Sequence, residues 1–295
     1  MPSAVGGKEG AHEQKASVDL TTSSPSASLP LSKDETTHHK RNAFSELMSS
    51  KSSKRAKLST TESGIARGSE KKKPHFRGTG LLEYILEPTK FPSNTVIRHN
   101  NKTVLIQDAF PKATVHLLLL PRDSSKWLLN PRDAFDDVEF LAMMRHEAEA
   151  AVKIAASELS RLISPFSESC KARLAAMEND NPPELLPSGR DFTKDIRVGI
   201  HAHPSMAHLH VHIISRDMHS DRMKHQKHYN SFNTDFFIPL DDFPLAKDDK
   251  RRQTAYQNAN LKSEYRCWRC GRVFGNKFKL LKEHLEEEFE EWKKE

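Results

Sequence analysis

Cysteine occurs only three times in the 295 residues, too few for the multi-bridge framework that holds small secreted domains together. Long apolar runs are missing as well. No window approaches the roughly 18 consecutive apolar residues of a bilayer-spanning helix, and no N-terminal apolar segment has the form of a signal peptide. These absences exclude a disulfide scaffold and a helical membrane protein, and they lead us to expect a soluble protein of a reducing compartment with no membrane partner. Apolar residues are scarce overall, at 36%, and the deficit is concentrated at the start of the chain. "TTSSPSASLPLSKDETTHHK" offers no apolar period, so residues 1 to about 70 are expected to be disordered.

A charge excess of one sign is also missing from most of the chain. The formal net charge is +6, but residues 1–75 hold 13 of the 46 basic and 8 of the 40 acidic residues, leaving 33 against 32 for residues 76–295. Any nucleic-acid surface on the folded part must therefore be a local patch rather than an overall field. The basic clusters "KSSKRAK" (51–57) and "KKKP" (71–74) sit in the polar tail in the usual form of a nuclear import signal, and they predict a nuclear protein. Ahead of them "RNAFSELM" places Phe44, Leu47 and Met48 on one helical face, so residues 41–48 read either as an incidental apolar cluster or as a peptide that docks on a repair-protein partner.

Order is expected from about His75. Leu81, Leu82, Ile85 and Leu86 have helical spacing, and the helix must end before Pro88. "NTVIRHNNKTVLIQDAF" reads as two strands around a turn in which Asn100 and Asn101 would tolerate left-handed backbone. "TVHLLLLP" (114–121) is a further strand. Residues 133–163 carry an apolar face from Phe140 to Leu162, a long amphipathic helix. Residues 165–190 contain four prolines and read as an insertion loop. "DIRVGIHA" and "AHLHVHIISR" read as two adjacent strands with Pro204 and Ser205 in the turn. The plan is α+β: an antiparallel sheet with one long helix.

The C-terminal stretch differs. Cys267 and Cys270 are separated by two residues, thirteen more lead to His284, and Glu288 follows one helical turn later. Tyr265, Phe274 and Leu281 stand where a ββα zinc finger needs its small core. Cys267, Cys270, His284 and Glu288 are therefore candidate ligands for one structural Zn2+, with Glu287 competing for the fourth position. A free Cys-x-x-Cys on a loop is the bland alternative.

Residues 208–214 read "HLHVHII". In a strand His208, His210 and His212 would project from one face while Leu209, Val211 and Ile213 pack behind. Such a row could hold a metal, carry out covalent chemistry, or merely fill a polar sheet face. Same-face positions stand about 6.5–7 Å apart along a strand, wide for three nitrogens converging on one ion about 2 Å away. Unpaired neighbouring imidazoles also gain little on a bland face.

The motif His-x-His-x-His followed by two apolar residues resembles the signature of the histidine triad superfamily. With "HAHPSMAHLHVHIISRDMHS", "KHYNSFNTDFF", "DAFPKATVHLLLLPR" and a C-terminal finger, residues 75–295 resemble its aprataxin family, the DNA-adenylate hydrolases; the tail and residues 165–190 lie outside the likeness. The resemblance implies a histidine triad fold at 75–245, a zinc-finger DNA-binding domain at 246–295, and a tail at 1–70. It implies removal of AMP from the 5′-phosphate of DNA ends left by abortive ligation, through an AMP–histidine intermediate. His210 then matches the nucleophile, His208 a flanking positioning residue, His212 a flanking phosphate contact, and His201 or His219 the group that assists the leaving phosphate. No catalytic metal is implied. Asp108 resembles the ribose-binding residue, and Lys112 lies in the nucleotide segment. Lys224, Lys227 and His228 are candidate DNA-phosphate contacts. Phe76, beside Arg77, resembles an aromatic wedge against the exposed base. Two other readings stand beside this one: a small-nucleotide hydrolase acting on phosphoramidates or dinucleotides, and an inactive zinc-finger DNA-binding adaptor.

Overall fold

A computed structural model of the protein describes residues 80–295. The tail at 1–70, residues 41–48, both basic clusters, Phe76 and Arg77 lie outside the described residues.

Six strands form one antiparallel sheet: β1 (Val96–His99), β2 (Thr103–Gln107), β3 (His116–Pro121), β4 (Ile196–His201), β5 (Val211–Ser215) and β6 (Phe237–Pro239), in the order β1-β2-β3-β5-β4-β6. The first helix, α1 (Leu82–Leu86), stops at Glu87, before Pro88. The β1–β2 turn comes where "HNN" places it, but neither asparagine is left-handed. The Asn100 carboxamide oxygen instead accepts from the amides of Lys102 and Thr103, at 2.8 and 2.7 Å, and closes the turn with ordinary backbone.

The long helix is split at its start. Residues Pro131–Ala134 form a single turn (α2), and α3 (Val138–Ile163) restarts after Asp137, whose carboxylate accepts from the amides of Glu139 and Phe140. A capping side chain here defeats the simple continuation of the helical pattern back to 133. The insertion is not only loop: Glu168–Met177 is a helix (α4), capped by the Ser167 hydroxyl. Its prolines lie outside those ten residues, so they bound the helix rather than break it. The chain then continues through α5 (Gln226–Asn233), α6 (Thr254–Asn260), the β7–β8 hairpin (Tyr265–Arg266 and Val273–Gly275) and α7 (Phe278–Trp292). Among the described residues no helix is long and apolar enough to cross a membrane.

The two sheet faces do different work. Leu117, Leu119, Val211, Ile213, Ile196 and Ile200 pack against α3 through Leu141, Met144, Ala148, Ala151, Ala155 and Leu159, forming the main core. On the opposite face Leu118, Leu120, Val104 and Ile106 are covered by α1. Further across that face Ile214, Tyr229, Phe232 and Phe237 share one cluster with Tyr265, Cys267, Phe274, Leu281 and Leu285 of the C-terminal segment. The finger thus packs into the sheet domain rather than hanging from it. Trp292, 1% exposed, even reaches the main core, where its indole faces Asp195 at 3.4 Å. Between these two apolar clusters a strip of the sheet carries imidazoles.

Candidate active site

The alternation at 208–214 survives folding: Leu209, Val211 and Ile213 all join the α3 core, so the intervening histidines turn to the other face. The ladder itself begins only at Val211, because the Leu209 amide donates to the Trp127 carbonyl at 2.7 Å instead of to a neighbouring strand. His210 therefore lies just before the strand and His212 within it. Their rings are 4.9 Å apart. His201, at the end of neighbouring β4, places its ring 4.4 Å from that of His212. Gly199, paired with His212, lets β6 approach closely beside them. A Cβ there would lie 2.5 Å from the Ile238 carbonyl oxygen and 2.7 Å from the Phe237 ring.

These histidines open onto a cavity of about 490 Å³, bordered also by Asp108, Lys112, Lys227 and His228. Seven of the sequence-derived site residues are thus brought together from four separate segments. His208 is not among the lining residues: its ring stands edge-on to Trp127, at 6.4 Å. Its contribution is the carbonyl, which accepts from His210 Nδ1 at 2.7 Å. Of the three histidines of the row, His210 and His212 line the cavity, and His208 lies behind them, holding His210 through its carbonyl. His219 is likewise elsewhere: it stacks on Phe289 of α7 with ring centroids 3.9 Å apart, and its Nε2 lies 2.7 Å from Glu286. The finger helix has captured it. Lys224 is exposed and outside the cavity, though its amide donates to His228 Nδ1 at 3.2 Å.

Among the lining residues that escaped the sequence reading, His116 matters most for the chemistry. It opens β3 and is 1% exposed. Its Nδ1 accepts from the Lys112 amide at 3.2 Å, so the neutral ring carries its proton on Nε2 and donates to His212 Nδ1 at 2.9 Å. The available signal was a lone polar residue in the otherwise apolar run "HLLLLP", two positions from Leu118, which pairs with His212. Asp108 Oδ2 is 3.4 Å from His116 Nδ1, while its other oxygen accepts from the Phe110 amide at 2.7 Å. Asp108, His116 and His212 each bring one donor atom within 4.8 Å of the others, but the two imidazole nitrogens nearest one another are already joined by a hydrogen bond.

Burial dominates the electrostatics. It lowers the pKa of His116 to about 4, holds His201 and His212 well below the usual imidazole range, and lowers His210 despite the opposing backbone acceptor. The site is a group of neutral imidazoles at neutral pH. His201 Nε2 and His212 Nε2 are buried without a hydrogen-bond partner among the described residues, leaving hydrogen-bonding capacity for a bound group. Burial also lowers the Lys112 pKa, with nearby Asp108 opposing it.

At the C-terminus Cys267, Cys270, His284 and Glu288 each offer a donor atom, all within 4.8 Å of one another. Cys270 Sγ is 3.1 Å from His284 Nε2, which is 3.1 Å from Glu288 Oε1. Two sulfurs, one imidazole and one carboxylate at these separations fit a closed tetrahedral zinc site. Glu287 stays out of the group: its side chain is exposed and approaches the other ring nitrogen, Nδ1, at 3.8 Å. Arg269 holds the second Glu288 oxygen at 2.7 Å and keeps that carboxylate below its usual range.

Residues 90–219 match the HIT domain family, and residues 233–291 match the C2HE / C2H2 / C2HC zinc-binding finger. The chain is 39% identical over 217 residues to an aprataxin-like protein of Saccharomyces cerevisiae, spanning 71% of this chain and 94% of that protein. Against an aprataxin-like protein of Schizosaccharomyces pombe it is 33% identical over 223 residues, 75% of this chain and 84% of the relative. The fold resembles the crystal structure of the aprataxin ortholog Hnt3 in complex with DNA, with a TM-score of 0.58 at 27% identity over 72% of this chain and 94% of that one. A structure of Hnt3 with DNA and guanosine gives 0.57 at 28% identity, covering 72% and 95%. With the triad motif, the shared sheet and the Cys-Cys-His-Glu finger all present, the chain belongs to the aprataxin-like family.

Proposed function

We propose that this protein is a DNA-repair hydrolase that removes AMP from the 5′-phosphate of adenylated DNA ends. The observation that carries the reading is the hydrogen bond from His210 Nδ1 to the His208 carbonyl. It fixes the tautomer, leaving the lone pair on His210 Nε2, on a ring that burial keeps neutral. That nitrogen attacks the phosphorus of the AMP group. The bond from phosphorus to the bridging oxygen breaks, and the 5′-phosphorylated DNA leaves with both electrons. Water then attacks the same phosphorus, the P–N bond breaks, and AMP is released while the departing imidazole and solvent take up the proton balance. Dividing one displacement into two is the gain of nucleophilic catalysis.

His212, with Nδ1 accepting from His116, carries its proton on Nε2 and offers it to a phosphate oxygen. His201 stands beside it and is favoured over His219 as the group near the leaving oxygen, since His219 is engaged by Glu286 and Phe289. Asp108 is assigned to the ribose hydroxyls. Lys112, Lys227 and His228 are assigned to phosphate, with Lys224 outside the cavity as a DNA contact. Phe76 and Arg77 are assigned to the base beside the end.

Cys267, Cys270, His284 and Glu288 would hold one zinc ion, which supplies folding energy to the finger. The DNA-bound state of the Hnt3 relatives supports DNA as the partner. The clusters at 51–57 and 71–74 support a nuclear location, and residues 41–48 a repair-protein contact. The test compares hydrolysis of a 5′-adenylated nick with hydrolysis of a free dinucleotide by the full zinc-loaded chain. Faster release from the nick is expected. Preference for the dinucleotide would favour the small-nucleotide hydrolase, and no release from either the inactive adaptor.

A further inference from the structure

A second cavity of about 520 Å³ lies on the same side of the sheet as the imidazoles, between β4 and the zinc knuckle. It is bordered by Arg197, Arg216, Asn233, Phe237, Arg266 and Trp268, and shares no lining residue with the histidine cavity. Helix α5 divides the two: Ser231 and Phe232 face the histidines, and Asn233 faces the arginines.

Arg197 and Arg216 are unusual here because no carboxylate answers them. Among the described residues neither guanidinium makes a hydrogen bond or an ion pair to protein. The Arg197 guanidinium lies over the Phe237 ring at 4.6 Å, and that of Arg216 over Trp268 at 5.7 Å. Two carboxylates also line the cavity, but both are paired with other groups: Asp242 with Arg251, itself a lining residue, and Asp235 with the Tyr256 hydroxyl and Lys250. Burial and the neighbouring Arg216 lower the Arg197 pKa to about 10, the mark of a desolvated cation beside a like charge. Trp268 adds an indole Nε1–H that is buried without an acceptor. Guanidiniums stacked on aromatic rings, with their fork of N–H donors free, match the geometry of phosphate oxygens.

We propose that this cavity is a second anion site that takes a phosphate group, held by Arg197 and Arg216 with the Trp268 indole and the Asn233 amide beside them. Two sources share that chemistry: a phosphodiester of the nucleic-acid backbone, which rests on the proposed function, and free inorganic phosphate, which does not. A backbone phosphate bound here would anchor substrate at a distance from the reacting end, between the sheet and the finger.

The experiment follows the side-chain Nε–Hε resonances of Arg197 and Arg216 and the Trp268 indole by NMR in the full zinc-loaded chain. Inorganic phosphate is titrated against chloride at matched ionic strength. Saturable shifts are expected, weakened at least tenfold in R216Q and retained in H210A, which separates this cavity from the histidines. Because Arg216 is exposed, R216Q is expected to fold; R197Q is the second variant. A parallel arm measures the salt dependence of binding to a nicked duplex with an unadenylated 5′-phosphate. R216Q lowers the slope by about one if a DNA phosphodiester is the ligand, and leaves it unchanged if only free phosphate binds. Shifts that fail to saturate and an unchanged slope together overturn the proposal, as do shifts that persist in both arginine variants. Deadenylation by wild-type protein is measured on the same preparation, so loss of the proposed function is read separately from loss of this site.

Discussion

His116 and His212 face each other across neighbouring strands, Nε2 to Nδ1 at 2.9 Å, both almost fully buried. The Lys112 amide at the far side of His116 sets the direction of the whole chain of donors. His116 is therefore a positioning residue that decides which nitrogen of His212 carries the proton. Replacing His116 by Phe removes the donor and frees His212 to adopt the other tautomer. We expect kcat to fall about tenfold, in line with the roughly 1–1.5 kcal/mol of a net hydrogen bond, with KM for an adenylated nick nearly unchanged. A variant that loses stability but keeps its kcat would reduce His116 to a packing role.

His210→Ala is expected to abolish AMP release, because no other imidazole in the cavity has its Nδ1 tied to a backbone carbonyl in a buried ring beside His212. Wild-type protein quenched in acid-free denaturant during turnover should carry AMP on His210. Mass spectrometry that finds the adduct on another residue, or an active alanine variant, sinks the assignment.

The buried histidines also make stability depend on pH. Their folded pKa values lie below the unfolded value, near 6.5, so between the two the unfolded chain binds more protons. Their full contribution is present above pH 6.5 and is lost as pH falls; for His116 the loss runs down to about pH 4. Each such group adds a slope of about 1.4 kcal/mol per pH unit within its window. Urea midpoints of zinc-saturated protein should fall below pH 6.5, and less steeply in His116→Phe. Equal slopes for both proteins would contradict the burial argument.

Cys267→Ser is expected to lower zinc content below one per chain and to destabilise more than the finger. Cys267, Tyr265 and Leu281 share a cluster with Tyr229, Phe232 and Phe237 of the sheet domain, so loosening the knuckle uncovers that face. A fall in the melting temperature of the whole described region, with reduced deadenylation, is the expected result. Independent melting of residues 262–295 with an unchanged main transition would show that the shared cluster contributes little.

Phe76 lies outside the described residues, and its role is read from sequence. If its ring replaces lost stacking at the DNA end, worth roughly 1–3 kcal/mol, Phe76→Ala slows deadenylation of a nicked duplex about tenfold or more. Hydrolysis of a small adenylated substrate stays nearly normal. Equal loss on both substrates returns Phe76 to a packing role.

Short-range patterns are legible in the chain itself. The period of two at 208–214 puts Leu209, Val211 and Ile213 in the core, and the Cys-Cys-His-Glu spacing names the finger, because both depend only on the repeat of a strand or a helix. The alternation does not show where hydrogen bonding to the next strand starts, and so it does not show that His208 stays outside the cavity. That depends on Trp127, distant in sequence, taking the Leu209 amide. The choice between Glu287 and Glu288 is likewise open in sequence, since adjacent helical positions are separated by only a fraction of a turn; packing exposes the first and buries the second. His116 and His212 meet only because β3 pairs with β5, and Arg197 and Trp268 border one cavity only because the finger docks on the sheet. Contacts between residues far apart in the chain carry no local period, so only the tertiary structure decided them.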